Sequence, residues 1–141
     1  MNNLTKMQIE KSANEVFEAF VDPVKIGNFW FSSSSERWER GKTITLRYEE
    51  YHAQVNIFID DLELNKKIVF TGGDGHMVTI TLTAVNPART IIEVFETGFE
   101  ETAPDFIHQI IDNKEGWVYT LTCLKAYLEY GVNTLRGALV K

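Results

Sequence analysis

The side chains able to do chemistry are few in this sequence, and they are scattered. The three histidines are His52, His76 and His108. No two stand four residues apart, the spacing that sets paired imidazoles on one helical face for zinc, and the single thiol, Cys123, cannot build a thiolate site. Asp105, His108 and Asp112 have a spacing that shares a helical face. A solvated amphipathic turn accounts for the same pattern, so no metal and no other cofactor is expected. "GGDGH", Gly72 to His76, has the glycines of a phosphate loop but lacks the Lys-Ser/Thr pair and opens no helix, so it reads as a hairpin turn. There is no G-x-S-x-G, and Cys123 has no histidine near it in sequence. No catalytic residue is assigned.

Glu96 is the carboxylate that the pattern singles out. In "TIIEVFETG", Ile92, Val94 and Glu96 alternate with Ile91, Glu93 and Phe95. Both sets carry apolar groups, so one carboxylate is expected to turn partly inward. If buried, Glu96 needs a polar partner and is placed to serve as a base or to hold a ligand. A sheet-rim position in water is the preferred reading.

The elements that position these residues follow from composition and period. The chain has 141 residues, which fits a single domain over 1–141. Its net charge of -6 disfavours nucleic acid and anionic membrane partners. One cysteine excludes an internal disulfide and fits a reducing compartment. The start, "MNNLTKMQIEK", has no apolar signal region, and no run approaches 18 apolar residues. A soluble, cytoplasmic protein without integral membrane association is expected.

Leu4 to Glu10 alternates weakly and reads as a strand. In "SANEVFEAFVD", Ser12 and Glu15 form a capping box ahead of the helical face Val16, Phe17 and Phe20. Asp22-Pro23 restarts a short helix that ends in the aromatic cluster "NFWF". From Arg37 to Thr97 the period becomes two, as in Ile44/Leu46/Tyr48, Val55/Ile57/Ile59 and Val78/Ile80/Leu82. Turn signals at Gly41, "ELNKK", "GGDGH" and "NPAR" divide this stretch, and six strands fit into it. Asp105 to Ile111 is expected to form a helical turn or two after Pro104.

The closing segment, "EGWVYTLTCLKAYLEYG", is a helix with an unusual circumference. Trp117, Leu121, Leu124 and Leu128 form one narrow stripe, which must bury against the strands. Thr120, Tyr127 and Gly131 flank it, a mix that suits either a pocket wall or a partly solvated edge.

The order strand, two short helices, six strands, long helix, with "VFEAFVDPVKIGNFWF", "RWERGK" and "EGWVYTLTCLKAYLEYG", resembles the activator of heat-shock-protein-90 ATPase homologue family. That family belongs to the START-like (SRPBCC, Bet v 1-like) superfamily. The resemblance covers nearly the whole chain. It implies an α+β helix-grip fold, a seven-stranded antiparallel curved sheet around a long C-terminal helix, enclosing a cavity. The cavity candidates are Trp30, Trp38, Tyr48, Phe58, Glu96, Trp117, Thr120, Leu121, Leu124 and Tyr127. The expected function is binding of a small hydrophobic or amphipathic ligand, lipid-like or polyketide-like. One alternative is a protein-interaction module, a homodimer or chaperone partner, using Tyr119, Tyr130, Leu135, Leu139 and Val140 as an apolar patch. The other is a cyclase or hydrolase drawing on Glu96, Tyr48 or His52.

Overall fold

Alternating burial sets the sheet in the computed structural model, which describes residues 1–140. β1 (Asn3–Ile9) turns Asn3, Thr5 and Ile9 inward. α1 (Ala13–Val21) begins at the capping box, where Ser12 Oγ accepts from the Glu15 N–H and Glu15 Oε2 accepts from the Ser12 N–H, both at 3.2 Å. Its buried face carries Val16, Phe17 and Phe20. α2 (Pro23–Ile26) starts at Asp22, whose Oδ1 accepts from the Val24 N–H at 2.9 Å. β2 (Ser33–Ser34), β3 (Thr43–Tyr48), β4 (Ala53–Glu63), β5 (Lys67–Gly72), β6 (Met77–Asn86) and β7 (Arg89–Thr97) follow, and then α3 (Phe106–Tyr130).

The seven strands lie in the order β1-β7-β6-β5-β4-β3-β2, with every neighbouring pair antiparallel. The connections from β2 through β7 are therefore hairpins, and the two-helix excursion after β1 carries the chain from one edge of the sheet to the other. Register shifts at Ile59/Asp61 and Ala84/Asn86 mark bulges, which bend strands and raise their twist. Curvature of the sheet is written into these two places.

Two expectations need correction. Arg37 to Thr97 holds five strands, not six, because β4 and β6 run to 11 and 10 residues. The remaining strand, β2, lies in the "SSSS" patch, where it pairs with Arg47 and Leu46 and is too short to show any alternation. The helical turn after Pro104 is not separate from the closing helix. α3 is continuous over 25 residues, about 37 Å, because nothing between Ile111 and Glu115 breaks it. It ends at Gly131 in the left-handed conformation (φ 69°), where the N–H groups of Gly131 and Val132 reach back to Tyr127 and Ala126 carbonyls.

α3 lies across the sheet and also guards its edge. Lys125 Nζ donates to the Gln8 carbonyl at 2.8 Å and Lys114 Nζ to the Leu4 carbonyl, so edge-strand acceptors of β1 are occupied by helix side chains. Trp117, Leu121 and Leu124 of the expected stripe are buried; Leu128 is half-buried, and Cys123 joins the buried set. The core beneath holds Phe20, Phe29, Trp38, Ile59, Ile80 and Ile92.

Leu121 sits at the centre of this contact and is fully buried. Leu121→Ala is expected to lower unfolding free energy by about 2–5 kcal/mol, read from urea midpoints at unchanged slope.

Candidate functional site

Glu96 closes the inward row Ile92, Val94, Glu96 of β7 and stands opposite Asn3 of β1. It is 7% exposed, not a rim carboxylate in water. The preferred sequence reading fails because α3 passes over this end of β7 and covers the rim. The carboxylate has two donors. Trp117 Nε1–H, from α3, donates to Oε1 at 2.9 Å, and His76 Nδ1–H donates to Oε2 at 2.8 Å. Asn3 Nδ2 beside it donates to the Ile110 carbonyl and to Asn113 Oδ1, tying the same strand end to the helix.

The "GGDGH" hairpin turn is what aims His76. Asp74 Oδ1 accepts the His76 N–H at 2.9 Å, and Gly75 takes φ 84°. Gly98, at φ 108°, approaches so closely that a Cβ there would stand 3.0 Å from the His76 ring. Phe99 packs edge-on against the imidazole, centroids 4.5 Å apart. The sequence reading missed His76 as a site residue. The signal is in the register: Val78 pairs with Glu96 and Met77 with Thr97, which brings the end of the hairpin beside Glu96.

Above the carboxylate lies a cleft of about 490 Å³. Trp30 and Trp117 form its inner wall with centroids 5.1 Å apart, and Tyr48 and Tyr51 form another with centroids 4.8 Å apart. Asp112, Asn113, Gly116, Tyr119 and Thr120 bring α3 to the lining. Gly137 and Leu139 of the C-terminal tail close the remaining side.

The tail is pinned there. Arg136 donates to both Glu50 oxygens (2.5 and 3.1 Å), to the Trp30 carbonyl (2.7 Å) and to Ser32 Oγ (3.2 Å), with its guanidinium 5.2 Å from the Tyr48 ring centre. Tyr119 O–H donates to the Leu135 carbonyl and Tyr51 O–H to the Leu139 carbonyl. The Arg136 fork holds the Glu50 carboxyl down at about 2. Burial pushes the Tyr48 phenol up, against the pull of Arg136, and burial pushes the Cys123 thiol up as well. That thiol is not poised for nucleophilic work.

Of the ten expected cavity residues, Trp30, Tyr48, Glu96, Trp117 and Thr120 line the cleft. Trp38, Leu121 and Leu124 lie in the core instead, because the sheet and helix close tightly beneath the cleft. Trp38 packs on Phe70 and Trp30, and its indole N–H has no partner among the described residues. Tyr127 stacks on Phe29. Phe58 belongs to the outer face, 44% exposed, since it alternates with the buried Ile57 and Ile59. His52 is exposed at the end of the turn Glu49–Tyr51 and is not part of the lining, whereas Tyr48 and Glu96 share it. The expected tail patch is divided. Leu139 lines the cleft and Tyr119 is half-buried, while Tyr130 and Val140 stand free. Among the described residues no cluster of His, Cys, Asp or Glu is arranged to hold a metal, and no helix is long and apolar enough to cross a membrane.

The model of the family described as Activator of Hsp90 ATPase homolog 1-like protein matches residues 10–129. The chain belongs to this family. The curved antiparallel sheet gripping α3 is its helix-grip fold. A crystal structure of a Staphylococcus saprophyticus protein is 53% identical, with 94% of this chain and 95% of that one covered and a TM-score of 0.85. The Aha1 dimer from Colwellia psychrerythraea, solved in solution, is 20% identical over 93% of this chain and 98% of its own, TM-score 0.78. DynU16, from the dynemicin biosynthetic locus, is also 20% identical, TM-score 0.81, over 94% of this chain and 48% of its own. The last two likenesses show the fold alone. No curated protein matches the chain.

Trp117→Phe keeps a ring but removes one donor to Glu96. It is expected to destabilise by about 1–3 kcal/mol, more than the lost ring area explains, while Glu96→Gln in the same background recovers part of the loss. Thermal unfolding of the double-mutant cycle checks this. The Glu50–Arg136 pair is expected to hold the tail fully above pH 4.5, the ordinary value of a Glu carboxyl, and to lose its contribution as pH falls toward 2. Amide protection at Leu135 to Leu139 across that window, absent the step in Glu50→Gln, measures it.

Proposed function

We propose that this chain binds a small hydrophobic or amphipathic ligand, lipid-like or polyketide-like, in the cleft between sheet and α3. The observation that carries the reading is the cleft itself. It has room for a small ligand, aromatic walls, and one buried carboxylate at its base. That is the composition of a small-molecule site, an apolar lining with a few fixed polar groups. A cytoplasmic place belongs to the same reading, supported by the free, buried Cys123.

A second reading, contact with another copy or with a chaperone, draws on a different face. Ile107, Ile111 and Val118 recur at helical spacing along α3 and are 63%, 60% and 41% exposed. The Colwellia relative is described as a dimer. Sedimentation of the wild type against Ile111→Asp separates the two readings, since the cleft is untouched by that change.

For the cleft, lipophilic fluorescent probes are expected to bind the purified protein and to be displaced by molecules extracted from it. Trp30→Ala is expected to weaken the probe by about tenfold or more, through loss of one aromatic wall. Unchanged affinity in that variant, with the fold intact, would remove the cleft from consideration.

A further inference from the structure

The cleft has a charge character as well as a shape, and that character restricts the head group of its ligand. Five of its lining residues are aromatic: Trp30, Tyr48, Tyr51, Trp117 and Tyr119. Among the described lining residues there is no Lys, Arg or His. The nearest guanidinium, Arg136, is committed to Glu50 in a two-point pair and covers the Tyr48 ring. Arg136 and Glu50 together bring no net charge to the wall.

At the base the lining presents the Glu96 carboxylate and no basic side chain among the described residues. His76 stands outside the lining, its Nδ1 2.8 Å from Glu96 Oε2 and 3.7 Å from Oδ2 of the exposed Asp74, so one ring is shared by two carboxylates and only Glu96 of the three faces the cleft. Glu96 accepts one bond on each oxygen, from Trp117 and from His76. A carboxylate offers about four lone-pair sites, so further acceptor capacity remains on a group that lines the cleft. Aromatic faces carry negative charge density and attract organic cations, most strongly where water is thinned out. An anionic head group would meet the Glu96 carboxylate there, with no Lys or Arg among the described lining residues to offset it.

We propose that the cleft selects an organic ammonium carried on an aromatic or apolar body, with Glu96 as its counter-ion and the rings of Trp30, Trp117 and Tyr51 as its cage. The proposal rests on the cleft being a ligand site and goes further by naming the head group. Fatty acids and other carboxylate-headed amphiphiles are the class it excludes.

Three probes of one ring and matched length test it: naphthylethylamine, naphthylethanol and naphthylacetate. Their affinities are read by calorimetry at neutral pH, and the Trp117 indole N–H resonance reports whether each sits beside Glu96. The amine is expected to bind at least about tenfold more tightly than the acid, with the alcohol between them. In Glu96→Gln that ratio is expected to fall below about threefold while alcohol binding persists. Should the variant not fold, the wild-type ratio decides alone. Equal binding of all three, or tightest binding of the acid, overturns the head-group assignment and leaves the cleft reading standing. Binding of none of them, with the Trp117 resonance unmoved, overturns both.

Discussion

One buried carboxylate sets the terms for the rest of this molecule. Removing Glu96 from water costs several kcal/mol unless donors meet it, and the two that do come from different elements. Trp117 fixes the rotation and depth of α3, and His76 fixes the end of the β5–β6 hairpin. Three segments far apart in sequence are thus held to one anion. Apolar side chains packed directly over Glu96 would bury its remaining acceptor capacity. The space above it is left to polar-tipped and aromatic groups, and a cleft results.

The size of that cleft carries an energetic consequence. The cleft of about 490 Å³ opens to solvent, and a dry space of that size beside Glu96 would be too costly to persist. The space must therefore hold water or a guest. Water is readily accepted near Glu96, Asn113 and the tyrosine hydroxyls, and poorly accepted against Trp30 and the face of Trp117. A guest with an apolar body and one polar end satisfies both halves of the lining better than water does.

The fold was legible where period and capping are local. Ser12 with Glu15, Asp22-Pro23 and the alternation of Val78, Ile80 and Leu82 each act within a few residues, and each element formed where those signals stand. β2 was illegible because two residues carry no period. The site was half legible. Trp30, Tyr48 and Trp117 are large aromatics next to turns or on the one long helix, so their convergence follows from the family resemblance. Phe58 was misplaced although its own neighbours, Ile57 and Ile59, give its direction. Glu96 was named as a candidate, but its burial and its pairing with His76 were beyond reach for another reason. Whether a strand-end carboxylate is buried depends on where a helix that begins ten residues later lies. Which histidine meets it depends on hairpin register, and neither quantity is contained in a local window.

The tail completes the cleft by weaker means than the core does. The sheet and α3 are locked by buried side chains, whereas Leu135 to Leu139 are held by the Arg136 fork and by two tyrosine hydroxyls on backbone carbonyls. Such bonds at a partly solvated surface contribute roughly 0.5–1.5 kcal/mol each. Releasing this wall breaks six such bonds and none of those that Glu96 accepts from Trp117 and His76. The outer wall and the anchor at the base thus share no hydrogen bond: Tyr51, Tyr119 and Arg136 hold the one, Trp117 and His76 the other.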